Sequence, residues 1–170
     1  MPPIPKPTPT SRAARVIRMI EEGHQEDLFS PRVVAHQPWA NAIAKAGPKG
    51  LIKPARGGFR PTDPDKAGKQ TLATLKKAFP DVKFHVDDAI ESASEVVVRW
   101  TMTGTHRGAI LGVAACNQEV EITGINIYRF AGDRIVESWG QLDLGTLARQ
   151  SAAACAKAIA TVSLPAEVVG

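Results

Sequence analysis

The sequence changes its hydrophobic period near Pro80-Asp81, and this change restricts the fold more than any other feature. Before this point, apolar residues recur at every third or fourth position, which is typical of helices with one buried face. After it, apolar and polar residues alternate, which is typical of strands that bury one side. Helices followed by consecutive hairpin-linked strands predict an α+β fold, in which helices lie on one face of a curved antiparallel sheet.

Two helices are predicted before the change of period. Ser11 is a candidate N-cap for the first helix, which ends at Gly23. Asp65 is a candidate cap for the second helix, and Pro80 ends it. Their apolar stripes contain Ala14, Val16, Ile17 and Ile20 in the first helix and Leu72, Leu75 and Phe79 in the second.

Four strands are predicted after Pro80, each with one buried face. On the first two strands this face holds Phe84, Val86 and Ile90, and then Val96, Val98, Trp100, Met102 and His106. On the third strand it holds Val120, Ile122, Asn126, Tyr128 and Phe130, and on the fourth Ile135, Trp139, Gln141 and Asp143. The segment Ala131-Gly-Asp predicts a hairpin turn between these last two strands. An alanine-rich helix is expected over about residues 146–161.

Length and composition indicate one globular domain with short tails. The chain has 170 residues, of which 44% are hydrophobic and 22% are charged, as is usual for globular proteins. A flexible Pro-rich tail is predicted over residues 1–10, a single domain over 11–163 and a C-terminal tail over 164–170. A long basic loop rich in Pro and Gly lies around residues 40–65, and such loops are usually functional or disordered.

Charge and hydropathy argue against two classes of partner. The net charge is +4 and the isoelectric point is about 9.3, but the basic residues are not interleaved with aromatics as in nucleic-acid sites. No uncharged apolar stretch approaches the ~18 residues that span a bilayer, and the N-terminus lacks the apolar segment of a secretory signal. We therefore expect a cytoplasmic protein that binds neither nucleic acid nor membrane.

No sequence motif indicates a cofactor or a metal. The signatures of phosphate loops, dinucleotide folds, serine hydrolases and zinc proteases are missing. Cys116 and Cys155 are far apart and form no CxxC pair, so two free thiols are the preferred interpretation and one disulfide is the other. A metal site needs at least three convergent ligands, and nothing in the spacing brings His36, His106 and Asp143 together.

Asp143 has two interpretations that the residues alone do not separate. It follows Trp139 in phase, so burial against apolar walls would raise its pKa and suit it to acid–base chemistry. It also precedes the last predicted helix, where an aspartate is a common N-cap. The histidines are similarly open, because His36 and His106 each lie in an apolar pattern that suits either a core residue or a pocket residue.

Four segments together resemble the SnoaL-like polyketide cyclase family. They are Ala78-Phe-Pro-Asp-Val, Val96-Val-Val-Arg-Trp-Thr-Met-Thr-Gly-Thr-His-Arg-Gly, Gly124-Ile-Asn-Ile-Tyr-Arg-Phe and Arg134-Ile-Val-Glu-Ser-Trp-Gly-Gln-Leu-Asp. The resemblance extends over about residues 12–150 and implies a fold similar to nuclear transport factor two, a cone-shaped curved antiparallel sheet wrapped by helices. It also implies a homodimer or higher homo-oligomer formed through the outer sheet face, which here carries Val97, Thr101, Thr103, Ile125 and Ile127.

The resemblance also implies a reaction and a site. Asp143 would be the acid/base in an intramolecular aldol condensation of an aromatic polyketide ester, with no cofactor, and His106 would orient or polarise a carbonyl. A small hydrophobic or aromatic ligand would contact a set of binding residues. This set is His36, Trp39, Trp100, Met102, Asn126, Tyr128 and Trp139.

Other functions remain open at this stage. The same cone could support isomerisation, dehydration or hydrolysis, or it could be a non-catalytic ligand-binding dimer module. The family commonly has a Pro-Pro-Thr-Gly-Lys-like turn after the Gly-Thr-His strand end, and this chain has Val113-Ala-Ala-Cys-Asn instead, which points to a different substrate. The basic loop at 40–65 would suit an acidic or phosphorylated ligand.

Overall fold

The computed structural model describes residues 9–23, 27–36, 64–110, 114–143, 145–150 and 153. The helices are α1 (Arg12–Glu22) and α2 (Pro64–Ala78), and residues 145–150 are also helical. The strands are β1 (Phe29–His36), β2 (Lys83–Glu91), β3 (Glu95–Thr105), β4 (Glu119–Ala131) and β5 (Arg134–Leu142). The predicted α+β fold is confirmed. Residues 1–8 and 164–170 of the predicted tails, residues 40–63 of the predicted basic loop, Trp39 and Cys155 lie outside the described residues. Residues 64 and 65 of that predicted loop belong to α2.

All five strands form one sheet in the order β1-β5-β4-β3-β2. The four strands from β2 to β5 pair antiparallel as a meander, as the alternating pattern predicts. β1 joins the edge of β5 in parallel, and the sequence did not predict this pairing. Because β1 and β5 are far apart in the chain, no local turn signal reports their contact.

The predicted ends of α1 are confirmed by its caps. The Ser11 hydroxyl oxygen accepts a hydrogen bond from the Ala14 backbone nitrogen at 3.1 Å. At the other end Gly23 has a left-handed φ of 75°, and its N–H donates to the Met19 carbonyl. The helix is fixed to the sheet where the Ala13 nitrogen donates to the Glu91 carboxylate at 2.9 Å.

The face of the sheet that packs against α1 is buried and is called the inner face. On β3 and β4 every second side chain points into it, in agreement with the predicted alternation. Its buried residues on these two strands are Val96, Val98, Trp100, Met102, Val120, Ile122, Asn126, Tyr128 and Phe130. The opposite, more exposed side is called the outer face.

A β-bulge in β2 moves Ile90 to the outer face. The pairing shifts between Val86, which faces Trp100, and Asp88, which faces Arg99. One extra residue therefore interrupts the alternation. Ile90 then faces Val97 and is 59% exposed, so the prediction that it shares a buried face with Phe84 and Val86 is wrong.

A second bulge, in β5, reverses the predicted faces of that strand. Ile135 faces Phe130 on the inner side, but two residues later Glu137 faces Arg129 on the outer side. After the bulge Ser138 lies on the inner face, and Trp139 lies on the outer face opposite Ile127. The prediction that Ile135, Trp139 and Gln141 share one face is therefore wrong, since strict alternation fails where a residue is inserted.

Candidate functional site

The end of α2 is joined to the end of β3 by the two motifs that carry the family resemblance. Thr105 donates its backbone N–H to one Asp81 carboxylate oxygen at 2.8 Å and its hydroxyl to the other at 2.6 Å. These hydrogen bonds hold the pKa of Asp81 below its ordinary value. The Ala78 carbonyl accepts from the backbone nitrogens of Arg107 and Gly108 at 2.8 and 3.0 Å. This contact region is called the α2–β3 joint.

Glycine is required where the joint is tightest. A Cβ atom on Gly108 would lie 2.5 Å from the Lys77 carbonyl oxygen and 3.0 Å from the Ala78 Cα atom. Both neighbours are backbone atoms, so they cannot turn away as a side chain would. The glycine that ends the Gly-Thr-His-Arg-Gly segment therefore has a packing explanation.

His106 is a fully buried member of the same joint. Its ring stacks against Phe79, with centroids 5.1 Å apart and 28° between the planes. Its Nδ1 lies 3.7 Å from the Cys116 sulfur, and burial lowers its pKa. The ring has no exposed surface, so in this conformation the geometry favours the core interpretation over contact with a ligand.

Asp143 caps the helical segment 145–150. One carboxylate oxygen accepts from the Thr146 backbone nitrogen at 2.8 Å, and the other accepts from the Thr146 hydroxyl at 2.6 Å. The side chain is exposed, and these hydrogen bonds, with a smaller effect of Arg149, lower the pKa of Asp143. The expectation that apolar burial raises this pKa is wrong, because the carboxylate turns toward the helix start. The N-cap interpretation is confirmed.

Two of the predicted binding residues meet on the outer face. The rings of His36 and Trp139 are stacked, with centroids 5.2 Å apart and 6° between the planes. The Arg129 guanidinium lies 4.7 Å from the centre of the Trp139 ring. Glu137 contacts His36 at 2.9 Å and Arg129 at 2.7 Å, and Arg129 also pairs with Glu95. These five residues are called the outer-face cluster.

The inner face brings together a different part of the predicted set. The Trp100 indole Nε1 donates to the Asn126 side-chain oxygen at 2.6 Å. The indole lies over Gly124, where any Cβ atom would overlap it, and it contacts the Phe84 ring edge-on at 5.6 Å. Met102 is buried on the same face. The result is a largely buried aromatic surface, in which Trp100 is 5% and Asn126 4% exposed, with the amide strongly fixed beside the indole.

Tyr128 and Ser138 add hydroxyl groups to this face. They are directly opposite each other on β4 and β5, and both are buried. Burial raises the pKa of Tyr128, so its hydroxyl keeps its proton at neutral pH. Asn126, Tyr128 and Ser138 are called the inner polar row. The sequence did not identify Ser138, because its face depends on the β5 bulge.

The family described as SnoaL-like polyketide cyclase matches residues 58–151, which is more than half of the chain. The chain belongs to the SnoaL-like polyketide cyclase family. The matched region contains the α2–β3 joint, β2 to β5 and Asp143. No protein of curated function matches the chain in sequence.

Solved structures confirm the fold of this SnoaL-like chain. It is 24% identical to IdmH, a proposed polyketide cyclase from Streptomyces antibioticus, over 84% of this chain and 96% of that one, with a TM-score of 0.63. It is 22% identical to a proposed polyketide cyclase from Acidithiobacillus ferrooxidans over 86% of this chain and 99% of that one, with a TM-score of 0.60. It is also 22% identical to AclR, a proposed hydroxylase from Streptomyces galilaeus, over 73% of this chain and 69% of that one, with a TM-score of 0.53.

The predicted site of this SnoaL-like chain is thus divided between two faces. Trp100, Met102, Asn126 and Tyr128 lie together on the inner face, whereas His36 and Trp139 lie on the outer face. The expectation that one ligand contacts Trp139 together with Tyr128 and Trp100 is therefore wrong, because Trp139 lies on the opposite face of the sheet. In the described part of the chain, no three His, Cys, Asp or Glu side chains are grouped to hold a metal. No described helix is long and apolar enough to cross a membrane.

Proposed function

We propose that this SnoaL-like chain is a cofactor-independent acid–base enzyme that closes a ring in a planar aromatic polyketide ester by intramolecular aldol condensation. The observation that carries the proposal is the inner face, where the Trp100 indole and the Asn126 amide form one fixed unit in apolar surroundings. A flat aromatic ligand suits such a surface. The similar solved structures include both a proposed cyclase and a proposed hydroxylase, so the fold alone does not select the reaction.

In this proposal Asp143 removes the α-proton of the ester. Its lowered pKa keeps the carboxylate ionised but makes it a weak base in the ligand-free protein. A ligand that covers the carboxylate would remove water from it and raise its pKa, so the protonated acid could return the proton to the new alkoxide. General acid–base assistance of this kind contributes about 10²–10⁴-fold to a rate.

For His106 we propose a structural contribution to the same reaction. The ring is neutral at pH 7 because burial lowers its pKa, and it packs between Phe79 and Cys116. It holds the end of β3 against the end of α2, and β3 carries Trp100. His106 thereby supports the aromatic surface without touching the ligand.

The experiment is α-proton exchange in deuterated buffer, followed by NMR on a small panel of aromatic β-keto esters. Asp143→Asn is the informative variant, since asparagine still caps a helix but is no base. We expect exchange by the wild type and a loss of about 10²–10⁴-fold in Asp143→Asn. Wild-type exchange rates in that variant would overturn the role of Asp143.

A second candidate, a non-catalytic ligand-binding module, is favoured by one specific observation. Both predicted catalytic groups have structural contacts, since Asp143 caps a helix and His106 is enclosed in the core. Saturable ligand binding by the wild type, with no exchange above that of the buffer, would establish this alternative in place of the enzyme.

We also propose that the outer face pairs with a second copy of the chain. Ile90 and Ile125 are 59% and 49% exposed on this face, and they are the large apolar residues that the described surface leaves most open. The face also carries charges of both signs, including Arg99 and Glu137, so it can be complementary to itself about a two-fold axis. The homodimer prediction is consistent with this surface.

A further inference from the structure

We propose that Trp100 holds the Asn126 side chain so that its amide N–H groups donate to an acceptor oxygen of the ligand. The inner face would then select planar ligands that carry a carbonyl group over equally flat hydrocarbons. This inference rests on the proposed function, because it takes the inner face as the ligand site. It adds the chemical group that the site recognises and the residue that recognises it.

The orientation of the Asn126 amide follows from the chemistry of its partner. An indole Nε1–H can donate a hydrogen bond and cannot accept one. The Asn126 atom at 2.6 Å from it is therefore the carbonyl oxygen Oδ1. A flipped amide would place N–H against N–H, which is repulsive. The contact to Trp100 thus fixes the amide nitrogen Nδ2 on the side away from the indole.

The amide nitrogen is available to an acceptor in this position. Asn126 is only 4% exposed, and within the described part of the chain its side chain forms just the hydrogen bond through Oδ1. Among the described residues, Nδ2 is not one of the fully enclosed side-chain atoms that lack a partner, so it keeps some accessible surface through which an acceptor can reach it. The residue directly opposite on β5 is Gly140, which has no side chain to supply one. An oxygen atom of a bound ligand would satisfy the group.

The neighbours of Asn126 favour the same ligand chemistry. Tyr128 and Ser138 each carry a hydroxyl group, and they lie two residues from Asn126 and Gly140 on β4 and β5. Among the described residues of β2 to β5, Glu91 is the one that places a carboxylate on the inner face. This carboxylate already accepts a hydrogen bond from the Ala13 nitrogen. Hydroxyl groups can donate as well as accept, so they can join the Asn126 amide in binding a carbonyl oxygen or the more negative oxygen of an enolate.

The test compares two probes of nearly the same size and flatness, 2-acetylnaphthalene, which has a carbonyl, and 2-ethylnaphthalene, which has none. Dissociation constants are measured for the full chain by NMR titration. We expect the wild type to bind the ketone about tenfold more tightly, which is the preference that one hydrogen bond of ordinary strength provides. The Asn126 side-chain N–H resonances should shift with the ketone and not with the hydrocarbon.

Asn126→Asp is the sharpest variant. A carboxylate can still accept from Trp100, but it has no N–H to offer the ligand. The ketone preference should disappear or reverse, while the affinity for the hydrocarbon stays within about twofold of the wild-type value, since one hydrogen bond corresponds to about tenfold. The matched control is Asn117→Asp, the same chemical change at an exposed residue before β4, and it should keep the wild-type preference.

Trp100→Phe is a second variant that tests whether Trp100 orients the Asn126 amide. It removes the donor that orients the amide, so Asn126 can turn either way and the ketone preference should fall. The shift of the Asn126 resonances in the wild type needs no variant at all, so the test stands even if one variant fails to fold.

The outcomes distinguish this inference from the proposed function. Equal binding of both probes to the wild type, or an unchanged preference in Asn126→Asp, would overturn the role of Asn126 and leave the inner face as a site. Failure of both probes to bind would overturn the inner face as a site and this inference with it. A clear ketone preference without α-proton exchange would support Asn126 as the recognition residue and reject the enzyme.

Discussion

Asp143 and His106 show how single side chains that suit catalysis can also be held by structural contacts. Asp143 is fixed by two hydrogen bonds to Thr146, and His106 lies between Phe79 and Cys116. In both cases the surroundings lower the pKa, but for different reasons. Hydrogen bonds stabilise the charged form of Asp143, whereas burial disfavours the charged form of His106. Each case gives a prediction that pH can test.

The helix cap of Asp143 should stabilise the fold only when the carboxylate is ionised. Its pKa in the folded chain lies below the ordinary value of 3.8, so the contribution is complete above pH 3.8 and is lost as pH falls through the lower value. Asp143→Ala should lower the melting temperature at pH 6, and the difference from wild type should shrink at pH 3. Thermal unfolding at both pH values measures this, and Thr146→Val should have a smaller effect in the Asp143→Ala background than alone.

The buried His106 ring should make the fold sensitive to mild acid. Its folded pKa lies below 6.5, so the unfolded chain binds more protons between the two values. The neutral ring's contribution is therefore present above pH 6.5 and is lost as pH falls through the folded pKa. Urea unfolding between pH 7.5 and 5 should show a steeper loss of stability for the wild type than for His106→Phe. Equal slopes would contradict the assignment.

At the scale of elements, the α2–β3 joint explains why the two family motifs occur together. The Phe79-Pro-Asp turn supplies a stacking ring, a carboxylate and a helix-end carbonyl, and the Gly-Thr-His-Arg-Gly segment supplies their partners. The motifs are thus two halves of one contact between a helix end and a strand end. They fix where β3, and with it Trp100, lies relative to α2.

Gly108→Ala tests the joint directly. The added methyl group would press on the Lys77 carbonyl oxygen, which is backbone and cannot move freely. We expect a loss of about 1–3 kcal/mol in the free energy of unfolding, as for overpacked sites generally. The control is Gly145→Ala, where the added atom would meet the flexible Arg149 guanidinium at 3.3 Å and stability should change little. Chemical denaturation of both variants decides between them.

At the scale of the whole molecule, the sheet separates two surfaces of different composition. The inner face carries the aromatic surface and the inner polar row, and the outer face carries exposed isoleucines and the outer-face cluster. If the outer face forms a dimer, the Trp139 ring and its ion pairs lie beside the interface and not in the ligand site. Ligand binding and self-association should then respond to different substitutions.

Ile125→Asp should weaken the dimer without affecting the ligand site. Introducing a charge in place of an apolar contact residue is expected to cost about 2 kcal/mol of association, or about 30-fold in the dimer dissociation constant. Sedimentation velocity over a concentration series measures the change, with Gln118→Asp, an exposed residue before β4, as the control. A wild type that sediments as a monomer at all concentrations would contradict the dimer.

The sequence by itself determined the elements of this protein and the family to which it belongs. Helix caps, hairpin turns and hydrophobic periods involve residues close in the chain, so Ser11, Gly23 and the alternation on β3 and β4 were readable directly. Only part of the candidate site could be predicted from the sequence. Its prediction that Trp100, Met102, Asn126 and Tyr128 share one face is correct, because no bulge interrupts their strands.

Only the tertiary structure decided which face each remaining residue occupies. One inserted residue in β2 and one in β5 move Ile90 and Trp139 to the outer face and Ser138 to the inner one. A bulge is visible only in the pairing with a neighbouring strand, and the sequence of one strand does not contain that pairing. The pKa of Asp143 has the same origin, since whether its carboxylate meets apolar walls or the start of a helix depends on how the chain turns after β5.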